Sequence, residues 1–230
     1  MALKYIDSEE IRRTINLLKP DNELFEVRII SNEGAIKSGY FRGADKLIEE
    51  LLKQDLRGSN VYFTLQRLHE GCEARIQWEH FITPGKLPTT SDKNIIGYSY
   101  IPVDIDPVRP AGISSTDEEL RASEDVRAEV AAYMESNGFR ECVKACSGNG
   151  LHLLYRAPRD WTVEEGNDSV KSLLLRMDEL FGNSLAHVDR TNFNPARIFK
   201  LYGTLAQKGR NTEKRPHRMA HIEETVNWYV

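Results

Sequence analysis

Apolar residues recur at helical and strand spacings along most of the chain. Ile11, Ile15 and Leu18 fall on one helical face, and Asp7 with Glu10 three residues later predicts a capping box ahead of them. Residues 24–30 and 35–41 read as two arms of a β-hairpin, joined by turn chemistry at Asn32-Glu33-Gly34. A second helix is predicted over 44–56, with Leu47, Ile48, Leu51 and Leu52 apolar. Gly58-Ser59-Asn60 ends it before a short apolar strand at 61–65. Residues 67–95 keep no clear period. Thr83-Pro84-Gly85 and Pro88-Thr89-Thr90-Ser91 predict a long surface loop there, of a kind that often carries function.

The second half repeats the alternation. A strand is predicted over 98–106, stopped by Pro107 and followed by a stiff exit through Pro110 and Gly112. Thr116 caps a helix running to about residue 137, and Asp117, Glu118 and Glu119 in its first turn suit the dipole. Gly138 is the predicted stop. Strands at 141–146 and 151–155 flank Ser147-Gly148-Asn149-Gly150. Residues 163–181 form another amphipathic helix, ended by Gly182-Asn183, and the stretch from 194 onward is mixed. There is no internal repeat and no linker that cuts the chain. Strands alternating with helices in both halves predict an α/β or α+β fold on one or two sheets.

Composition narrows the class. With 230 residues, 40% hydrophobic and 29% charged, the chain reads as soluble and globular, either one large domain or two fused modules. That length buries a sizeable core without disulfides or zinc. Three cysteines suggest no disulfide framework. No apolar run nears the roughly 18 residues of a membrane span, and MALKYIDSEE turns acidic where a signal peptide needs apolar residues. A reducing cytoplasm is therefore expected. The net charge of −4 means that nucleic-acid contact would need a local basic patch. Residues 196–218 supply one, with seven Lys or Arg against a single acid; a solvated basic tail is the other reading of that segment.

Three segments carry candidate chemistry. In the strand ending at Pro107, Asp104 and Asp106 share a face, with Val103 and Ile105 on the other. Two like charges at that spacing are either solvated acids at a strand exit or ligands of a divalent cation; the apolar lead-in and stiff exit favour the cation. In Ser147-Gly148-Asn149-Gly150-Leu151-His152, two glycines around an asparagine open the backbone to a ligand. Ser147, Asn149 and His152 there suit a triphosphate, or else the segment is an ordinary hairpin turn before a half-buried histidine. The third segment holds Asp189 and, after Asn194-Pro195, Arg197 and Lys200 three residues apart, a spacing that shares a face on a helix. Cys142 and Cys146 near His152 lack a fourth ligand and read as free buried thiols. His217 and His221 lack the His-apolar-His pattern of a metal-dependent nicking enzyme. The aromatics at Tyr40-Phe41 and Tyr62-Phe63 read as core rather than base-stacking platforms.

Together VDIDPVRPAGISSTDEEL, SGNGLHLLY, the Asp189 segment and NPARIFKLYGTLAQKG resemble the archaeo-eukaryotic primase superfamily, in its primase-polymerase branch of phages, plasmids and mobile elements. SGYF at 38–41 and VYFTL at 61–65 are weaker echoes, and the resemblance spans about residues 25–210. It implies an α+β fold with an RRM-like mixed or antiparallel sheet module at about 96–230, packed with a smaller N-terminal α/β module at about 1–95. It implies that Asp104, Asp106 and Asp189 are catalytic ligands of Mg²⁺ or Mn²⁺. Ser147, Asn149, His152, Arg197 and Lys200 are expected to hold the incoming nucleotide. The middle motif has the Ser-Gly-Asn-Gly-x-His form, which leaves open whether Ser147 or Asn149 makes the direct contact. The implied activity is primer synthesis and extension from dNTP or NTP on a single-stranded DNA template. The family's helical accessory domain and helicase are not in this sequence, which therefore reads as an excised core. A catalytically silent single-stranded nucleic-acid-binding module that recruits a helicase is the alternative.

Overall fold

A computed structural model describes residues 4–75, 79–83 and 89–228. The expected loop segment 84–88 lies outside the described residues. In chain order the elements are α1 (Ser8–Leu18), β1 (Leu24–Ser31), β2 (Ile36–Arg42), α2 (Ala44–Leu52), β3 (Ser59–Thr64), β4 (Arg67–Leu68), β5 (Ile95–Gly97), β6 (Tyr100–Pro107), α3 (Asp117–Ser136), β7 (Cys142–Cys146), β8 (Leu151–Arg156), α4 (Val163–Phe181), β9 (Ala186–Val188), β10 (Ile198–Lys200), β11 (Leu205–Ala206), β12 (Arg218–Met219) and β13 (His221–Val226).

Local chemistry explains most boundaries. Thr116 and Thr162 each form a capping box, with Glu119 and Glu165 respectively. Gly138, at φ +91°, stops α3, and the Phe139 N–H returns to the Met134 carbonyl. Asp7 does cap α1, but Glu10 does not complete the box. Its carboxylate accepts the backbone N–H of Ile222 at 2.6 Å instead, tying α1 to β13. Helix α2 ends four residues earlier than its pattern predicts. The Lys53 and Gln54 N–H groups close tight turns on Glu50 and Leu51, and Leu56 is buried beyond the helix.

Two antiparallel sheets dominate, ordered β10-β3-β1-β2 and β13-β7-β8-β6-β9. The alternation of strand side chains divides the core in two. Ile101, Val103, Ile105, Leu151 and Leu153 face α3 and α4, meeting Val126, Val130, Val170 and Leu174. The opposite face contributes Tyr100, Leu154, Val143 and Ala145 to a core shared with α1, α2 and the four-stranded sheet, including Phe25, Val27, Phe41 and Phe63. Strand β10, late in the chain, pairs with β3 and so completes the N-terminal sheet. Among the described residues no helix is long and apolar enough to cross a membrane.

Candidate active site

Asp104 and Asp106 occupy the end of β6, where the second core gives way to a cavity. Asp104 lies opposite His152 on β8, and Asp106 lies opposite His187 on β9. The Asp189 N–H donates to the Asp104 carbonyl at 2.8 Å, continuing the β6–β9 register by one residue. Asp189 lies one residue past the end of β9 and is not among the residues that line the cavity. Asp104 and Asp106 line the cavity together with Tyr62, His152, Lys200 and Lys208.

Each cavity group is fixed by its neighbours. Asp104 Oδ1 lies 3.3 Å from His152 Nε2, and Asp104 Oδ2 accepts from the Asn192 amide at 3.2 Å. The other ring nitrogen of His152 lies 2.8 Å from the buried Tyr202 hydroxyl. Asp106 is paired with Arg109 at 3.2 Å, from the stiff turn after β6. Gly150 sits beside both acids: a Cβ there would lie 2.9 Å from Asp106 Oδ1 and 3.5 Å from Asp104 Oδ1. Lys208 is delivered to the cavity rim by Gln207, whose side chain bonds Leu56, Gly58 and Ser59 and whose backbone bonds Asn60.

The two carboxyls are pushed apart in acidity. Burial opposes the charge on Asp104, but His152 beside it, with Lys208 and Arg109 beyond, holds it below the ordinary carboxyl range. Burial and the Asp104 charge push Asp106 above that range, against the pull of Arg109 and Lys208. Burial lowers Lys200 to about 7, and Lys208 adds to the effect.

The donor set suits a divalent cation. Asp104 Oδ1 is buried and makes no hydrogen bond beyond its 3.3 Å approach to His152, and the space at Gly150 lies directly against both carboxylates. A third ligand is not assembled: among the described residues no group of three or more His, Cys, Asp or Glu is arranged to hold a metal ion. Asp189 Oδ1 instead accepts from the Thr191 N–H and hydroxyl, both at 2.8 Å.

No protein-family model and no curated protein sequence matches the chain. Among solved structures it is similar to primase RepB′, with a TM-score of 0.52 and 12% identity, covering 94% of this chain and 56% of that one. It is also similar to the polymerase domain of Mycobacterium tuberculosis ligase D in complex with DNA, with a TM-score of 0.53 and 11% identity, covering 92% of this chain and 79% of that one. The chain has a primase-polymerase fold. It spans little more than half the length of the RepB′ chain.

Within that fold the expected site residues part company. Asp104, Asp106, Ser147, Asn149, His152 and Lys200 all line the cavity. Ser147 and Asn149 also carry structural bonds. The Ser147 hydroxyl exchanges hydrogen bonds with Gly150 N–H and C=O, and Asn149 Oδ1 accepts the Ser115 N–H at 3.0 Å. Arg197 and Lys200 do not share a helical face, because residues 198–200 form strand β10. Lys200 pairs with Tyr62 and turns to the cavity, whereas Arg197 donates to the Thr191 carbonyl at 2.6 Å.

Several cavity residues escaped the sequence reading. Tyr62 looked like core, yet it is half-buried on the polar face of β3, with Lys200 Nζ 5.7 Å from its ring centre. Lys208 is one of the seven basic residues of 196–218, and nothing local sets it apart from the others. Tyr202 and Asn192 carry no local signal, since each acts on a residue at least 50 positions away.

Proposed function

We propose that the chain is a metal-dependent nucleotidyltransferase that starts or extends a strand on a single-stranded DNA template, using dNTP or NTP. The observation that supports this best is the pair of carboxylates, Asp104 and Asp106, facing a cavity whose other groups include His152, Lys200 and Lys208. The acids suit cations, and the lysines suit a triphosphate.

In this reading Asp104 and Asp106 hold one or two divalent cations, joined by Asp189 once its carboxylate leaves Thr191. Bound there, Mg²⁺ or Mn²⁺ supplies Lewis acidity to the phosphate oxygens and acidity to a 3′-hydroxyl. Lys200 and Lys208 bind and orient the triphosphate. His152, held by Tyr202, fixes the Asp104 carboxylate beside the triphosphate. The 3′-oxygen attacks the α-phosphorus, its proton passes to solvent, and the bond to pyrophosphate breaks.

The test is incubation with a single-stranded template, labelled dATP or ATP and Mn²⁺, with and without a primer, and resolution of products by length. Template-dependent products that vanish with EDTA and in Asp104→Ala/Asp106→Ala support the reading. Wild-type synthesis by that double variant overturns it. A second reading, a silent module that binds single strands, is favoured by one observation: the Asp189 carboxylate is engaged by Thr191. Strong single-strand binding with no Mn²⁺ or nucleotide binding by calorimetry would select it.

A further inference from the structure

At the opposite end of β6 from the carboxylates lies a second cavity, of about 310 Å³, lined among others by Tyr100, Arg67, Arg156, Arg159, Asp21 and Glu23. In the β6–β8 ladder Asp104 pairs with His152 and Tyr100 pairs with Arg156. The two cavities are thus four strand residues apart, or about 14 Å.

The lining carries three arginines against two acids, Asp21 and Glu23, and so leans towards an anion. Glu23 is taken up by the buried Lys19, 2.7 Å away. Arg67 Nε is buried and has no hydrogen-bond partner. Its guanidinium packs directly over Gly97, its register partner on β5, so that a Cβ at Gly97 would collide with it. Arg159 is exposed at the rim. Arg156 is held flat against Trp228, 4.2 Å from the ring centre, and pairs with Glu141 at 2.5 Å. The unpartnered Nε of Arg67 and the exposed guanidinium of Arg159 suit the several oxygens of a phosphate better than they suit a single carboxylate.

We propose that this cavity is a phosphate site for the backbone of a single-stranded nucleic acid, gripped by Arg67 and Arg159 against the fixed plane of Arg156. The proposal rests on the nucleic-acid reading above. The choice of a strand over an acidic peptide follows from the nucleic-acid reading and from the match of guanidinium groups to phosphate oxygens. The cavity lies about 14 Å along β6 from Asp104, within reach of a strand that reacts there.

The experiment measures fluorescence anisotropy of labelled oligothymidylate across a salt series, with wild type, Arg159→Glu and Arg67→Ala/Arg159→Ala. Calorimetry of dATP with Mn²⁺ runs in parallel. Losing two phosphate contacts should lower the slope of log K against log salt by about 1.4 and weaken low-salt binding roughly tenfold or more. Binding of dATP should stay unchanged. Arg159→Glu, at an exposed position, should weaken binding even if the double variant folds poorly. An unchanged slope and affinity in Arg159→Glu and in a folded double variant overturn the site. So does loss of inorganic-phosphate binding with oligothymidylate binding intact, which would mark a free-phosphate site. Polyglutamate competing as well as oligothymidylate would mark an acidic-peptide site and also overturn the proposal. If wild type binds dATP but its DNA affinity ignores these arginines, only the phosphate site fails. If it binds neither, the nucleotidyltransferase reading fails as well.

Discussion

Gly150 stands across the strands from Asp106, so close that a single methyl group at this position would come within 2.9 Å of the Asp106 carboxylate. The space it leaves lies against both part-buried carboxylates, where a cation would bind. Gly150→Ala should therefore weaken Mn²⁺ binding at least tenfold; its Cβ would also lie 2.9 Å from the Ile105 carbonyl, so some stability is lost as well and Mn²⁺ binding is compared at a temperature where the variant is folded. Gly150 does not sit at a positive φ, so the alanine meets no backbone penalty of that kind. Isothermal calorimetry with Mn²⁺, alongside a melting curve, checks this. Undiminished Mn²⁺ affinity would remove the case for a cation at this point.

Tyr202 and His152 form the buried end of the same polar chain. Tyr202→Phe leaves His152 Nδ1 without its partner in a site with 2% exposure. Leaving a buried group unsatisfied costs about 1–3 kcal/mol. The variant should lose that much stability and also nucleotide affinity, because the ring is free to turn. Urea unfolding with nucleotide titration measures both; unaltered values in each would show that the hydroxyl contact is idle.

Lys200 has a pH signature. Burial holds it at about 7 in the fold, against roughly 10.4 in an unfolded chain. Between those values the unfolded state carries the extra proton, so Lys200 makes stability rise with pH across that window. Below about 7 the lysine is charged in both states and its penalty is constant. Lys200→Met removes the effect. The stability advantage of the variant should shrink, by on the order of 1 kcal/mol per pH unit, from pH 7 towards 10. Urea midpoints at several pH values give the trend. A constant difference would mean that Lys200 is charged in the native state throughout.

Gln207 is a clamp whose removal should be felt in the cavity. Its side chain satisfies the Leu56 and Ser59 carbonyls and the Gly58 N–H, all near the start of β3. Gln207→Ala should destabilise the fold by about 2 kcal/mol and raise the KM for nucleotide, since Lys208 follows directly. Lys208→Ala should raise KM without the loss of stability. Equal stability losses in the two variants would break the link between clamp and rim.

The divide between what local pattern could tell and what it could not follows sequence distance. The Asp104/Asp106 pair, the Gly150 turn with His152, the caps at Thr116 and Thr162 and the strand–helix alternation all depend on neighbours a few residues apart. Alternation along a strand and hydrogen bonding within a turn settle those features locally. Helix α2 overran its true end because the apolar Leu56 serves the core from outside the helix. Arg197 and Lys200 separated because pairing with β3, more than 130 positions earlier, turned a presumed helical face into a strand with alternating sides. Tyr202 behind His152, Asn192 on Asp104, Lys208 at the rim and the arginine cavity beyond Tyr100 have no sequence signature. Each depends on which strands pair and which faces meet, and those choices are made by burying two cores at once.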